Sequence, residues 1–223
     1  MKEYHKILYY NKGIMGSPVI AFDKLDGSNI RVEWSKKRAF YKYGTRTQML
    51  DKTNEQFGKA VNIFEEKYFD KLHKFFLTEP TYRNHQSILA YFEYFGPNSF
   101  AGFHEETDKM DLLLLDVWQH KKGWVEPRDF VKQFSEFGIP DIIYRGNLNQ
   151  EFIQNVKNNI YNLKEGVVAK GTQETKRVDR KVWMIKIKTA DWHRRLKEKC
   201  GEKAVLDDLE GDLSILNRDL CII

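Results

Sequence analysis

Short runs of alternating or apolar residues dominate the first third of the chain. Pro18 to Asp23, Asn29 to Trp34 and Arg38 to Tyr43 are separated by Asp-Gly-Ser and Ser-Lys-Lys, both turn-forming. These read as strands joined by tight turns. Then the period changes. Phe57, Val61, Phe64, Tyr68, Leu72 and Phe75 recur every three or four positions, the stripe of a long amphipathic helix packed on a core. Strands follow at Ser87 to Phe95 and Leu112 to Trp118. Pro127 is placed to open a helix that Gly138 closes, and Asn149 to cap one running through Ile160. Asp141 to Tyr144, Gly166 to Lys170 and Val182 to Lys188 read as further strands, with a charged helix from about Ala190. Helices do not alternate regularly with strands, so the pattern predicts an α+β fold with largely antiparallel sheets and flanking helices.

At 223 residues the chain suits one large domain with at most a small appendage. Charged residues make up 31% and apolar residues 41%, a composition that excludes disordered and collagen-like classes. No apolar run approaches the ~20 residues needed to span a bilayer, so no membrane association is expected. The polar stretch Met1 to Lys12 does not read as a signal peptide. Two cysteines, Cys200 and Cys221, do not suggest a disulfide framework, which makes the cytoplasm the expected compartment. A monomer is the expected state.

The net charge of +5 is concentrated. Thr172 to Cys200 holds ten basic and four acidic residues, and Arg31 to Lys52 holds seven and two. Each segment equals or exceeds the whole-chain excess, a pattern suited to a polyanion such as a nucleotide or nucleic acid, or to solvated strand faces. His5, His73, His85, His104, His120 and His193 show no metal-ligand spacing and read as incidental. P-loop and dinucleotide-binding glycine patterns are absent.

Four segments carry candidate chemistry. Lys24-Leu25-Asp26-Gly27-Ser28-Asn29 puts a lysine at a strand end beside a glycine turn. Such a lysine can act as a nucleophile if its surroundings favour the neutral amine. Glu93 lies in the aromatic run Tyr91 to Gly96. Glu165 opens the apolar run Gly166 to Gly171. In Trp183 to Lys188, period-two alternation sends Lys186 and Lys188 to one strand face, where two like charges suit an anion between them.

In this order and spacing, the segments resemble the covalent nucleotidyltransferases, which include polynucleotide ligases and mRNA capping enzymes. The resemblance runs from about Val19 to Lys188 and implies the nucleotidyltransferase (ATP-grasp-like) fold. It implies that Lys24 becomes adenylylated and that Lys186 and Lys188 bind phosphate in catalysis. Glu93 would hold the ribose, and Glu165 would serve the catalytic metal. Arg46, twenty-two positions after Lys24, resembles a phosphate-contacting arginine. Leu115 falls where the family places a residue stacking on adenine, often an aromatic. Asp26, Gly27 and Asn29 would complete the nucleotide site. The implied cofactors are ATP and Mg²⁺ or Mn²⁺.

Ser28-Asn29 after Gly27 is similar to RNA ligases of the phage RNA-repair and RNA-editing type, where DNA ligases typically carry an arginine. An amide both donates and accepts hydrogen bonds, whereas an arginine only donates. The implied reaction joins RNA 5′-phosphate and 3′-hydroxyl ends through lysyl-AMP. A small ATP-dependent DNA ligase, a capping-type guanylyltransferase and a non-catalytic nucleotide- or RNA-binding module remain the alternatives. The expected organisation is an adenylyltransferase domain over residues 1–189 and a short basic helical tail over 190–223, with too few residues there for an OB domain.

Overall fold

The computed structural model describes residues 1–5, 7–10, 14–97, 108–172, 182–206 and 208–209. Cys221, His104 and much of the tail after Cys200 lie outside the described residues. In chain order the strands are β1 (Leu8–Tyr9), β2 (Pro18–Lys24), β3 (Gly27–Ser35), β4 (Ala39–Gly44), β5 (Met49–Leu50), β6 (Ile88–Phe95), β7 (Asp111–Gln119), β8 (Gly123–Trp124), β9 (Ile142–Asn147), β10 (Gly166–Gly171) and β11 (Met184–Lys188). The α-helices are α1 (Gly58–Phe64), α2 (Asp70–Thr78), α3 (Pro127–Phe134), α4 (Gln150–Lys157) and α5 (Ala190–Cys200). The mixed, largely antiparallel architecture expected from the sequence is the one observed. No helix among the described residues is long and apolar enough to cross a membrane.

The chain forms two compact units. The first contains Met1–His5 and Asp26–Pro140. Its sheet has the order β5-β4-β3-β6-β7-β8, antiparallel throughout. One face packs against α1 and α2 through Trp34, Phe40, Phe64, Phe76 and Phe92, whose rings meet edge-on at 4.8–5.4 Å. The helical stripe is continuous, but a π turn over Glu65–Phe69 joins α1 to α2. The buried positions explain it. Phe64, Tyr68, Leu72 and Phe76 are spaced by four, which drifts around an α-helix of 3.6 residues per turn, and one wide turn absorbs the drift. On the opposite face, Tyr4, Tyr91 and Trp124 cluster, and the Tyr4 hydroxyl donates to Asp116.

The second unit contains residues 7–25, 141–172 and the described positions from 183 onward. Its sheet order is β1-β11-β10-β2-β9, with β1 parallel to β11 and every other pair antiparallel. Val19 and Ala21 of β2, Val167 and Ala169 of β10, and Ile185 and Ile187 of β11 share one buried cluster with Phe152, Ile153 and Val156 of α4. Alternation then sends Lys24, Lys170, Lys186 and Lys188 to the other face. Asn149 caps α4 by accepting from the Phe152 amide at 2.7 Å. The helix stops at Lys157, short of Ile160, because Asn159 takes a left-handed conformation (φ 55°). Thr189 caps α5 by accepting from the Trp192 amide at 3.0 Å.

Candidate active site

Lys24 closes β2, and Gly166 lies directly across from it on β10, with Lys188 of β11 next in register. Glu165, one residue earlier, sits beside both lysines. Lys24 Nζ donates to Glu165 Oε2 at 2.8 Å, and Lys188 Nζ lies 3.0 Å from Oε1. The carboxylate is enclosed, with 4% of its side chain exposed, while Lys24 keeps 21%. Residues separated by 141 and 23 positions in sequence thus meet in one ion-paired triad. Gly166 permits this approach. At φ +156° a Cβ in its place would fall 2.1 Å from the Ile187 carbonyl oxygen, so only glycine lets β10 lie this close to β11.

Lys186 follows the same face. Its amine lies 4.5 Å from the Tyr9 ring centre, and the Lys188 amine lies 3.3 Å from that of Trp192. Both amines also reach Asp208, at 3.3 and 3.0 Å. Burial pushes the Lys188 amine below its ordinary value; Glu165 opposes that change and the Lys24 charge reinforces it. Asp23 points to the α4 side of the sheet. Burial, then Asp141 and Glu165, push its carboxyl up to about 6, and its enclosed Oδ1 has no hydrogen-bond partner among the described residues.

The remaining candidates lie in the first unit. Gly27 and Asn29 open β3 in register with Phe95 and Glu93 of β6. A Cβ at Gly27 would lie 2.4 Å from the Tyr94 carbonyl oxygen. The Asn29 amide donates to the Phe92 carbonyl at 3.3 Å, while its enclosed Oδ1 meets no described donor. Asp26 is buried, and Glu93 half-buried. Arg46 is exposed on the loop after β4, and its carbonyl accepts from the Arg31 guanidinium at 3.1 Å. A bulge in β7 moves the ladder from Tyr91–Asp116 to Phe92–Leu114, leaving Leu115 as the extra residue. Leu113 is consequently the residue across from Glu93.

Residues 17–188 match the family model for RNA ligase. The chain belongs to the RNA ligase family. Its fold is that of solved RNA ligase structures from Naegleria gruberi. One, with pyrophosphate, aligns at TM-score 0.65 and 15% identity over 89% of this chain and 59% of that one. A mutant with ATP and Mn aligns at 0.64 and 16%, and a mutant with AMP and Mn at 0.63 and 16%, with the same coverage. This chain therefore spans about three-fifths of the length of those RNA ligase structures. No curated protein matches the sequence.

Against the residues expected for such a ligase, the structure brings Lys24, Glu165, Lys186 and Lys188 together in one unit, and Gly27, Asn29 and Glu93 onto adjoining strands in the other. Sequence reasoning misses Lys170, buried on the same face as Lys24 with its amine 4.8 Å from the Phe22 ring centre. It also misses Tyr9 and Asp208, and it sets His193 aside. The Lys at the end of Gly166 to Gly171 is visible as a motif residue. Tyr9 and Asp208 carry no local signal, because their place is set by long-range pairing.

Proposed function

We propose that this chain is the nucleotidyl-transfer part of an ATP-dependent RNA ligase, working through a covalent Lys24–AMP. The observation that carries this reading is the Lys24–Glu165–Lys188 triad with Lys186 beside it. A strand-end lysine of β2, a buried carboxylate just ahead of β10 and two further cations of β11 converge, which a nucleotide-transfer site needs and a solvated basic face does not. Structures of Naegleria gruberi RNA ligase mutants with ATP or AMP and Mn support ATP as the donor.

In the first step, the Lys24 amine attacks the α-phosphorus of ATP. An N–P bond forms, the bond to the bridging oxygen breaks, and pyrophosphate leaves. Glu165 stands within reach of the proton that Lys24 sheds. Lys186 and Lys188 offset charge on the phosphoryl oxygens, as preorganised donors do in group transfer. The AMP then passes to an RNA 5′-phosphate, giving a 5′-5′ pyrophosphate. Attack by a 3′-hydroxyl expels AMP and forms the phosphodiester. Glu93 serves the ribose, and Asn29, Asp26, Gly27, Arg46 and Leu115 serve the nucleotide, as in the resembled ligases.

Among the described residues no group of three or more His, Cys, Asp or Glu could hold a metal by itself. A single buried carboxylate does fit Mg²⁺ or Mn²⁺, which usually keeps waters and substrate phosphates as its other ligands. Glu165 would hold it, and the ion would supply positive charge at the phosphates. In this reading, residues 1–189 do the nucleotidyl chemistry and the basic helix α5 begins the tail.

Intact-protein mass after incubation with ATP and Mg²⁺ tests the proposal. One added AMP, mapped to Lys24 and lost in Lys24→Ala, is expected. An adduct on another lysine, a GMP adduct from GTP only, or no adduct would overturn it.

A further inference from the structure

We propose that Tyr9 and His193 join Lys186 and Lys188 in one oxyanion seat, and that Asp208 occupies this seat as an internal stand-in which an incoming pyrophosphate group must displace. The proposal rests on reading the lysine pair as phosphate ligands, and it adds two ligands and a competitor to that reading.

The seat is assembled by strand pairing and by the start of α5. β1 runs parallel to β11 with Tyr9 paired to Lys186, which brings the phenol beside the lysine. α5 starts directly after β11, and one turn in, His193 comes beside Tyr9 with the rings 6.2 Å apart and inclined by 27°. Tyr9 and Trp192 lie under the two amines, so aromatic faces orient both cations. Four polar groups then converge on one carboxylate. Lys186 Nζ donates to Asp208 Oδ1 at 3.3 Å, and Lys188 Nζ to the same oxygen at 3.1 Å. The Tyr9 hydroxyl donates to Oδ2 at 2.5 Å, and His193 Nε2 lies 3.6 Å from Oδ2 and 3.0 Å from the Tyr9 oxygen.

This arrangement is what a phosphate oxyanion asks for: two ammonium groups, a hydroxyl and an imidazole around one anion. Burial works against the Asp208 charge, but His193, Lys188, Tyr9 and Lys186 outweigh it and hold the carboxyl far below its ordinary range. The site therefore selects an anion strongly.

Two observations mark Asp208 as an occupant that can leave. Lys188 already has a fully enclosed partner in Glu165, so the fold does not depend on Asp208 to neutralise it. The segment bearing Asp208 also has little apolar anchorage, since Leu206 and Leu209 on either side are exposed. Its other described polar attachment is the exposed Glu202–Lys197 ion pair at 2.8 Å. A carboxylate offers one charge and two oxygens; pyrophosphate offers more of both and out-competes it at equal reach.

Calorimetric titration of the full chain with inorganic pyrophosphate tests this. Asp208→Asn keeps the shape and removes the charge; it should bind pyrophosphate about tenfold more tightly than the wild type, the scale of one charge-assisted hydrogen bond. In that background, Tyr9→Phe and His193→Gln should each weaken binding several-fold. Hydrogen exchange on the unmodified chain gives a second measurement: pyrophosphate should speed exchange at residues 202–209. Unchanged or weaker binding by Asp208→Asn, or unchanged exchange at 202–209 under saturating pyrophosphate, would overturn the stand-in role. Unchanged affinity in both Tyr9→Phe and His193→Gln would overturn the wider seat. Pyrophosphate competition without any Lys24–AMP adduct would sink the ligase reading and leave this inference standing; an adduct without competition would do the reverse.

Discussion

Asp23 sits one residue before the proposed nucleophile, yet its side chain goes to the apolar side of the sheet with Val19 and Ala21. Burial, Asp141 and Glu165 raise its carboxyl from 3.8 to about 6. A carboxyl raised in the folded state contributes stability that is fully present below 3.8 and lost as pH rises through about 6. A rise from 3.8 to about 6 means that an ionised Asp23 costs the fold about 2–3 kcal/mol at neutral pH. Asp23→Asn removes that charge and keeps the shape. The amide brings its own offset, but that offset does not titrate, so the comparison between two pH values isolates the carboxylate. Urea unfolding of both proteins at pH 4.0 and 7.5 makes the measurement. The variant should gain about 2–3 kcal/mol on the wild type between the two pH values, with the change centred between pH 4 and 6. A stability difference that stays the same at both pH values would refute the reasoning, and with it the burial of an uncompensated Asp23 charge.

Glu165→Ala should destabilise the second unit by about 3 kcal/mol, the low end for breaking a buried pair because Lys188 keeps Asp208, and should abolish AMP attachment. Urea unfolding and intact mass check the two halves. Gly166→Ala should force β10 from β11 at the Ile187 carbonyl and cost about 1–3 kcal/mol, read as a lowered unfolding midpoint with a loss of adenylylation. Asn29→Ala, which removes the enclosed Oδ1 acceptor and the amide N–H donation to the Phe92 carbonyl, should slow sealing of RNA-ended nicks by about tenfold to hundredfold, more than all-DNA nicks, in a gel assay at one salt concentration. Equal slowing on both would remove Asn29 from sugar discrimination.

What the sequence makes legible here is whatever a local period or a turn residue encodes. The strand β2, the glycine turn and β3 follow from alternation broken at Asp26-Gly27, and the capping of α4 by Asn149 follows from one side chain and one amide. The shared face of Lys186 and Lys188 is a direct consequence of period two, and the common contact with Asp208 bears out that geometry. Leu115 shows where this logic stops. Alternation along β7 keeps Leu113 and Leu115 in one half-buried phase, but the bulge resets the ladder just beyond, so that Asp116 pairs with Tyr91, Leu113 with Glu93, and burial falls on Asp116 and Val117 in succession. A bulge has no period and leaves no mark in a run of four leucines. β1 escapes for another reason: two residues cannot establish a period, and a parallel partner 177 positions away is invisible locally. That short pairing has a large consequence, because it delivers Tyr9 to the lysines. The cations of the candidate site are thus readable in order along the chain, while the groups that meet them, Glu165 for Lys24 and Asp208 for Lys186, depend on register and on chain return. Since a lysine's chemistry is set by the anion beside it, the second set decides whether Lys24 is a nucleophile held in check or an ordinary surface amine.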